Sequence, residues 1–212
     1  LITGIGQGYT QTTPLQLCLM TAQLANGGFK IYPKIIIEED SKTAEEIRII
    51  MNENRKQLNK KDSGLKDAKE LLKFLNKNEY KTLFKSSKNI NLVREAMFAS
   101  TNEIRGTSYK SRIDNPKYQF AGKTGTSQVR RITEAARELD LSTSEIPYNE
   151  RDHALYIAFG PYKNPRYALS IVIEHGGSGS SAAAPIAKKL FKLIVDRHEF
   201  REKQSKQNNL EI

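Results

Sequence analysis

Residues 118–129 read Tyr-Gln-Phe-Ala-Gly-Lys-Thr-Gly-Thr-Ser-Gln-Val, an aromatic lead-in followed by glycines among hydroxyl and amino side chains. Aromatic and β-branched residues favour a pleated strand, and glycines inside one mark points where another backbone or a ligand comes close. Two further strands follow, His153–Gly160 and Arg166–Glu174, both rich in β-formers. The Pro161-Tyr162-Lys163-Asn164-Pro165 turn between them is a hairpin signal. A short helix is expected near Ala135–Leu141 in the polar connection. After the loop at Gly176, Gly177 and Gly179, a last helix carries Ile186, Ala187, Leu190, Phe191 and Ile194 on one face. Residues 199–212 are expected to be a charged, disordered tail.

Upstream, Gly4, Gly6 and Gly8 form a flexible turn ending in Tyr9. Thr12 or Thr13 is placed to cap a helix whose first position is Pro14, where a missing N–H costs nothing. Leu17, Met20, Thr21 and Leu24 recur at helical spacing, and Asn26-Gly27-Gly28 stops the helix. Phe29–Ile37 reads as a short strand-like segment. Residues 38–90, rich in lysine and asparagine, read as a variable or inserted helical block. A second helix is expected from Asn91 to Gly106, with Leu92, Val93, Ala96, Met97, Ser100 and Ile104 as its periodic residues.

The chain has 212 residues, 38% of them hydrophobic, with no tryptophan, and its mean hydropathy is −0.59. No apolar run approaches the roughly 18–20 residues that cross a bilayer. The first residues have neither a basic n-region nor an apolar h-region, so no signal peptide or anchor is expected in them. The single cysteine, Cys18, excludes an intrachain disulfide framework and a multi-cysteine zinc site. Opening at Leu1 inside a glycine-rich turn suggests the later part of something longer.

The formal net charge of +10 first raises nucleic acid as a partner. More than half of it lies in residues 105–131, where Arg105, Lys110, Arg112, Lys117, Lys123, Arg130 and Arg131 face only Asp114. No zinc finger or RNA-binding aromatic signature accompanies them, and the 38–90 block mixes both signs. A basic nucleic-acid-binding domain therefore ranks last.

The chemistry-bearing candidate is Lys123-Thr124-Gly125-Thr126. Lys123 supplies positive charge for a carboxylate, the hydroxyls of Thr124 and Thr126 can bond it, and Gly125 allows close approach. A strand can dock an extended peptide along its edge, and a backbone N–H here can serve as an oxyanion donor. A basic surface strand with a turn glycine is the bland alternative. Gly122-Lys123-Thr124 also matches the end of a phosphate loop, but that loop needs a glycine at position 117, which is lysine.

Around this strand lies an ordered series: Ile5-Gly6-Gln7-Gly8-Tyr9, Thr13-Pro14-Leu15-Gln16-Leu17, Ala25-Asn26-Gly27-Gly28, Val93-Arg94-Glu95-Ala96-Met97, Gly106-Thr107 and Ala121-Gly122-Lys123-Thr124-Gly125-Thr126. It continues with Asp152-His153-Ala154, Phe159-Gly160-Pro161 and Glu174-His175-Gly176-Gly177. Over residues 1 to about 197 the series resembles the C-terminal part of the transpeptidase domain of class B penicillin-binding proteins, most like the elongation-type penicillin-binding protein 2. The match is weak only at 38–90.

The resemblance implies an α/β fold of the α+β type, a mainly antiparallel sheet flanked by helices and here incomplete. It implies a cofactor-free serine D,D-transpeptidase that cross-links peptidoglycan stem peptides at the periplasmic face of the inner membrane and is acylated by β-lactams. Lys123, Thr124 and Gly125 match the family's Lys-Thr/Ser-Gly motif, and Thr126 the position whose N–H completes the oxyanion hole. The nucleophile's Ser-x-x-Lys and the Ser-x-Asn motif belong before Gly6 in the family order, hence upstream of Leu1. Ser63-Gly64-Leu65-Lys66 and Ser87-Lys88-Asn89 fit those patterns formally, but they come in the wrong order and at the frequency chance allows. The expectation is thus a fragment with one wall of the cleft, inactive alone, whose missing half is a candidate partner. A non-catalytic module binding a peptide carboxylate or another anion is the alternative. His153, His175 and His198 are expected to be structural or solvated.

Overall fold

The structure, a computed structural model, describes residues 11–33, 83, 86–129 and 141–208. The glycine turn at 3–9, Ser63, almost all of the 38–90 block and residues 135–140 of the short expected helix lie outside the described residues. Contacts divide the chain into two units: Leu1–Ala22 with Arg94–Ile212, and Gln23–Val93.

Helix α1 spans Pro14–Ala25. Its cap is reciprocal: the Gln16 N–H donates to Thr13 Oγ1 at 3.2 Å, and the Thr13 N–H donates to Gln16 Oε1 at 2.8 Å. The choice between Thr12 and Thr13 thus falls to Thr13. Within the Gln23–Val93 unit, Gly27 and Gly28 turn at φ 95° and 93°, which ends the helix. Asn26 Oδ1 accepts from the Gly28 and Phe29 N–H groups, fixing this turn before the buried Phe29.

Helix α2 spans Ser87–Asn102, starting one turn before the expected Asn91 and ending before Gly106. Of the expected inward residues Met97 is buried, together with Ile90 and Thr101, whereas Leu92 is 65% exposed and Ile104, past the helix end, 81%. Ser87, Lys88 and Asn89 form its exposed first turn, so that Ser-x-Asn match is an ordinary helix start.

Strands β1 (Ala121–Ser127), β2 (His153–Gly160) and β3 (Tyr167–Ile173) form an antiparallel sheet in that order. One face of β2 presents Ala154, Tyr156 and Ala158, all fully buried. They pair with Thr126, Thr124 and Gly122 on β1 and with Ile173, Ile171 and Leu169 on β3. A π-helical turn at Gly179–Ala183 leads into helix α3, Ala184–Asn208, which packs Ala184, Ala187 and Phe191 into this core. Phe191 stacks on Phe120 with ring centroids 4.8 Å apart. Gly160 makes room for that pair, since a Cβ there would meet both Phe120 and the Phe191 ring at 3.0 Å. Phe159, from the other face of β2, has the Arg94 guanidinium of α2 over its ring.

α3 continues through Asn208, into the 199–212 stretch that the sequence reads as a charged, disordered tail. Glu199 explains the first added turn: its carboxylate holds Lys117 Nζ at 2.8 Å, beside Asp196 at 3.2 Å. Glu, Arg, Lys and Gln then supply good helix formers.

Candidate active-site strand

β1 is an edge strand of the described sheet, and it places all four candidate residues. Lys123 and Thr126 are exposed, while Thr124 and Gly125 are half-buried. Adjacent side chains on a strand point to opposite faces, yet Lys123 curls back so that Nζ donates to the Thr124 carbonyl at 2.8 Å. It also lies 3.4 Å from Thr124 Oγ1, and so the ammonium and one hydroxyl converge at this edge. No carboxylate among the described residues pairs with Lys123.

The cation cluster around β1 is thinner than its sequence suggests. Arg112 pairs with Asp114 at 3.0 Å and lies over the Tyr109 ring. Lys117 is held by Asp196 and Glu199, which together with Tyr118 keep its ammonium charged far into the alkaline range. Arg130 and Arg131 lie outside the described residues. Among the described residues no carboxylate pairs with Arg105, Lys110 or Lys123, and of these Lys123 is the one on the strand itself.

Gly125 sits where backbone meets backbone. A Cβ on Gly179 would lie 2.4 Å from the Leu155 carbonyl oxygen and 2.8 Å from that of Gly125. Only glycine at 179 therefore lets the loop after β3 close on the centre of the sheet.

Five residues that reach β1 were not read as site residues from sequence: Thr101, Ser108 and Tyr156, with Ser100, taken only as a helix position, and Thr107, taken only as part of the Gly106-Thr107 motif. Buried Thr101 Oγ1 accepts from the Gly122 N–H at 3.0 Å and lies 3.0 Å from the Tyr156 hydroxyl. That hydroxyl is 3.0 Å from Ser108 Oγ, which donates to the Ser100 carbonyl at 3.0 Å. Burial raises the Tyr156 pKa, so its phenol stays protonated. Gly122 is the seat for this ring, since a Cβ there would meet the Tyr156 hydroxyl at 2.4 Å. On the exposed side, Ser100 Oγ is 3.1 Å from Thr107 Oγ1, which is 3.4 Å from Thr124 Oγ1. Ser108 and Tyr156 are 48 residues apart in sequence, so no local signal joins them. The Gly106-Thr107 motif of the ordered series marked only the neighbourhood.

His153 and His175 brace the far end of the sheet. His153 Nδ1 accepts from the His175 N–H at 2.9 Å, and the rings meet edge-on at 4.9 Å. His175 takes up φ 55°, with its Nδ1 3.1 Å from the Arg151 carbonyl oxygen. These are structural contacts.

The sequence model described as the penicillin binding protein transpeptidase domain matches residues 1–192. The chain belongs to this family. It is 34% identical over 194 residues to the peptidoglycan D,D-transpeptidase MrdA of Salmonella typhimurium, covering 91% of this chain and 26% of that protein. The MrdA of Escherichia coli strain K12 is 29% identical over 195 residues, covering 91% of this chain and 25% of that protein. Among solved structures, a complex between penicillin-binding protein PBP2 and MreC from Helicobacter pylori is similar with a TM-score of 0.59 at 28% identity. That similarity covers 91% of this chain and 27% of that one. Pseudomonas aeruginosa PBP2 in complex with WCK 5153 gives a TM-score of 0.54 at 30% identity, covering 88% and 30%. The chain thus spans about a quarter of the length of the curated relatives it matches. Its three antiparallel strands with flanking helices are part of the penicillin-binding transpeptidase fold.

Proposed function

We propose that this chain supplies the Lys-Thr-Gly wall of a peptidoglycan D,D-transpeptidase site. In this reading Lys123, Thr124 and Thr126 hold the terminal carboxylate of a stem peptide or the carboxylate of a β-lactam. Gly125 lets the ligand lie against the strand, and the Thr126 N–H faces the developing oxyanion. The observation that carries the reading is the convergence of Lys123 Nζ and the Thr124 hydroxyl at an edge strand, with no carboxylate among the described residues engaging Lys123. An ammonium and a hydroxyl side by side bind a carboxylate through charge-assisted bonds. The edge's unpaired backbone adds main-chain bonds to an extended peptide.

The nucleophilic serine and the Ser-x-Asn motif belong, in family order, N-terminal to Gly6. Acyl transfer therefore needs residues beyond these 212, and the work is done at the periplasmic face. The wall alone binds a carboxylate without turning it over. Titration with an acyl-D-Ala-D-Ala peptide should show saturable binding that Lys123→Ala abolishes; a flat titration of the folded chain would overturn the assignment. A fluorescent penicillin should leave no covalent label on these 212 residues. Label that survives denaturation and disappears in Ser63→Ala would place the nucleophile inside the chain and refute that part.

A further inference from the structure

Two hydroxyl paths run from the end of α2 to β1, and they reach it on either side of Lys123. The buried path joins three hydroxyls to backbone groups. Ser108 Oγ donates to the Ser100 carbonyl and lies 3.0 Å from the Tyr156 phenol. Thr101 Oγ1 accepts from the Gly122 N–H, and its own proton has the Met97 carbonyl at 3.4 Å, Ser108 Oγ at 3.3 Å and the Tyr156 hydroxyl at 3.0 Å within reach. Every hydroxyl of this network has at least two partners. Thr101, Ser108 and Tyr156 are at most 1% exposed, so any broken link strands a buried polar group.

The exposed path is Ser100 Oγ, Thr107 Oγ1 and Thr124 Oγ1. Lysine can only donate, so Thr124 Oγ1 already accepts from Lys123. If Thr107 donates there as well, the Thr124 proton has no inward acceptor and must point out to the ligand. A separation of 3.4 Å is loose for two hydroxyls, and an anion drawing on the Thr124 proton would tighten it.

We propose that Tyr156 and Thr107 are positioning residues for the carboxylate-binding strand. Tyr156 holds the Gly122 backbone through Thr101, and Thr107 orients the Thr124 hydroxyl so that it donates to an anion. The inference rests on the carboxylate-binding reading given above and adds its donor polarity. A site polarised in this way favours a free carboxylate, an acceptor only, over a carboxamide, which presents N–H groups of its own.

The test compares acyl-D-Ala-D-Ala as free acid and as C-terminal amide, titrated against wild type, Thr107→Val, Thr107→Ser and Tyr156→Phe. Thr107→Val should lower the acid-over-amide preference about tenfold, the scale of one hydrogen bond to a charged group. Its melting temperature should stay at the wild-type value, and Thr107→Ser should restore the preference. Tyr156→Phe should shift it in the same direction and move the Gly122 and Lys123 amide resonances. Should Tyr156→Phe fail to fold, the Thr107 pair still decides. An unchanged preference in Thr107→Val, or an equal loss of both ligands, overturns the inference while the carboxylate-binding reading stands. A wild type that binds neither ligand overturns both.

Discussion

At the Ala121–Gly122 end of β1 both residues are buried, and Gly122 is gripped by the Tyr156 ring and by Thr101. At the Lys123–Ser127 end, Lys123, Thr126 and Ser127 are exposed and Thr124 and Gly125 half-buried, and Lys123 bonds to Thr124 rather than to the core. One strand of small residues thus serves two purposes. Its first part is fixed by close packing, where an added methyl has no room. Its second keeps donors unpaired by carboxylates, which is what an anion needs. The rigid end gives the open end its position without filling it.

The largest effect should come from Phe191→Ala, which empties the core against which β1 is anchored. A loss of about 3–5 kcal/mol in denaturant unfolding is expected for a fully buried phenylalanine. Gly122→Ala comes next: its Cβ would press the Tyr156 hydroxyl, and overpacking of this kind costs about 1–3 kcal/mol. Gly125→Ala should cost less, because its Cβ would stop 3.3 Å from that of Leu155. Equal losses at 122 and 125 would erase the contrast between the two ends. Lys123→Ala should leave stability within about 0.5 kcal/mol while removing carboxylate binding. A large stability loss there would mean that the open end is structural too.

The smallest effect concerns Asp196 on α3, whose carboxylate pKa is lowered by bonds from Tyr118 and Lys117. A depressed carboxylate stabilises the fold above its unfolded pKa, near 3.9 for an ordinary Asp. That contribution is lost as pH falls through the folded value. Asp196→Asn should therefore narrow the drop in melting temperature on acidification, and it should leave ligand binding untouched. The exposed pair makes this shift small.

Much of the sheet was legible. The three strands lie within the segments expected of them, since runs of β-formers bounded by Gly and Pro have few other uses. The start of α1 was legible to within one residue, Thr12 or Thr13 before Pro14, and the reciprocal bond with Gln16 singled out Thr13. α2 was harder: Leu92 and Val93 are apolar yet exposed, while Thr101 is polar yet buried. Hydrophobic periodicity cannot rank a threonine whose partners, Tyr156 and Gly122, lie on two strands. The helical stretch beyond Arg197 was missed for a related reason. Glu199 is one charge among many in the 196–203 stretch of the sequence and an ion-pair partner of Lys117 in the fold.

By itself the sequence determined the strand order in the chain, the position of the first helix, the Lys-Thr-Gly motif and the family to which its ordered motifs belong. These depend on local conformational preference and on residue identity at fixed spacing. Only the tertiary structure decided that Lys123 and Thr124 converge at an edge, that Gly122 must lack a side chain, and that hydroxyls from three segments close on β1. Those outcomes depend on which buried groups find partners, and burial is a property of the assembled fold.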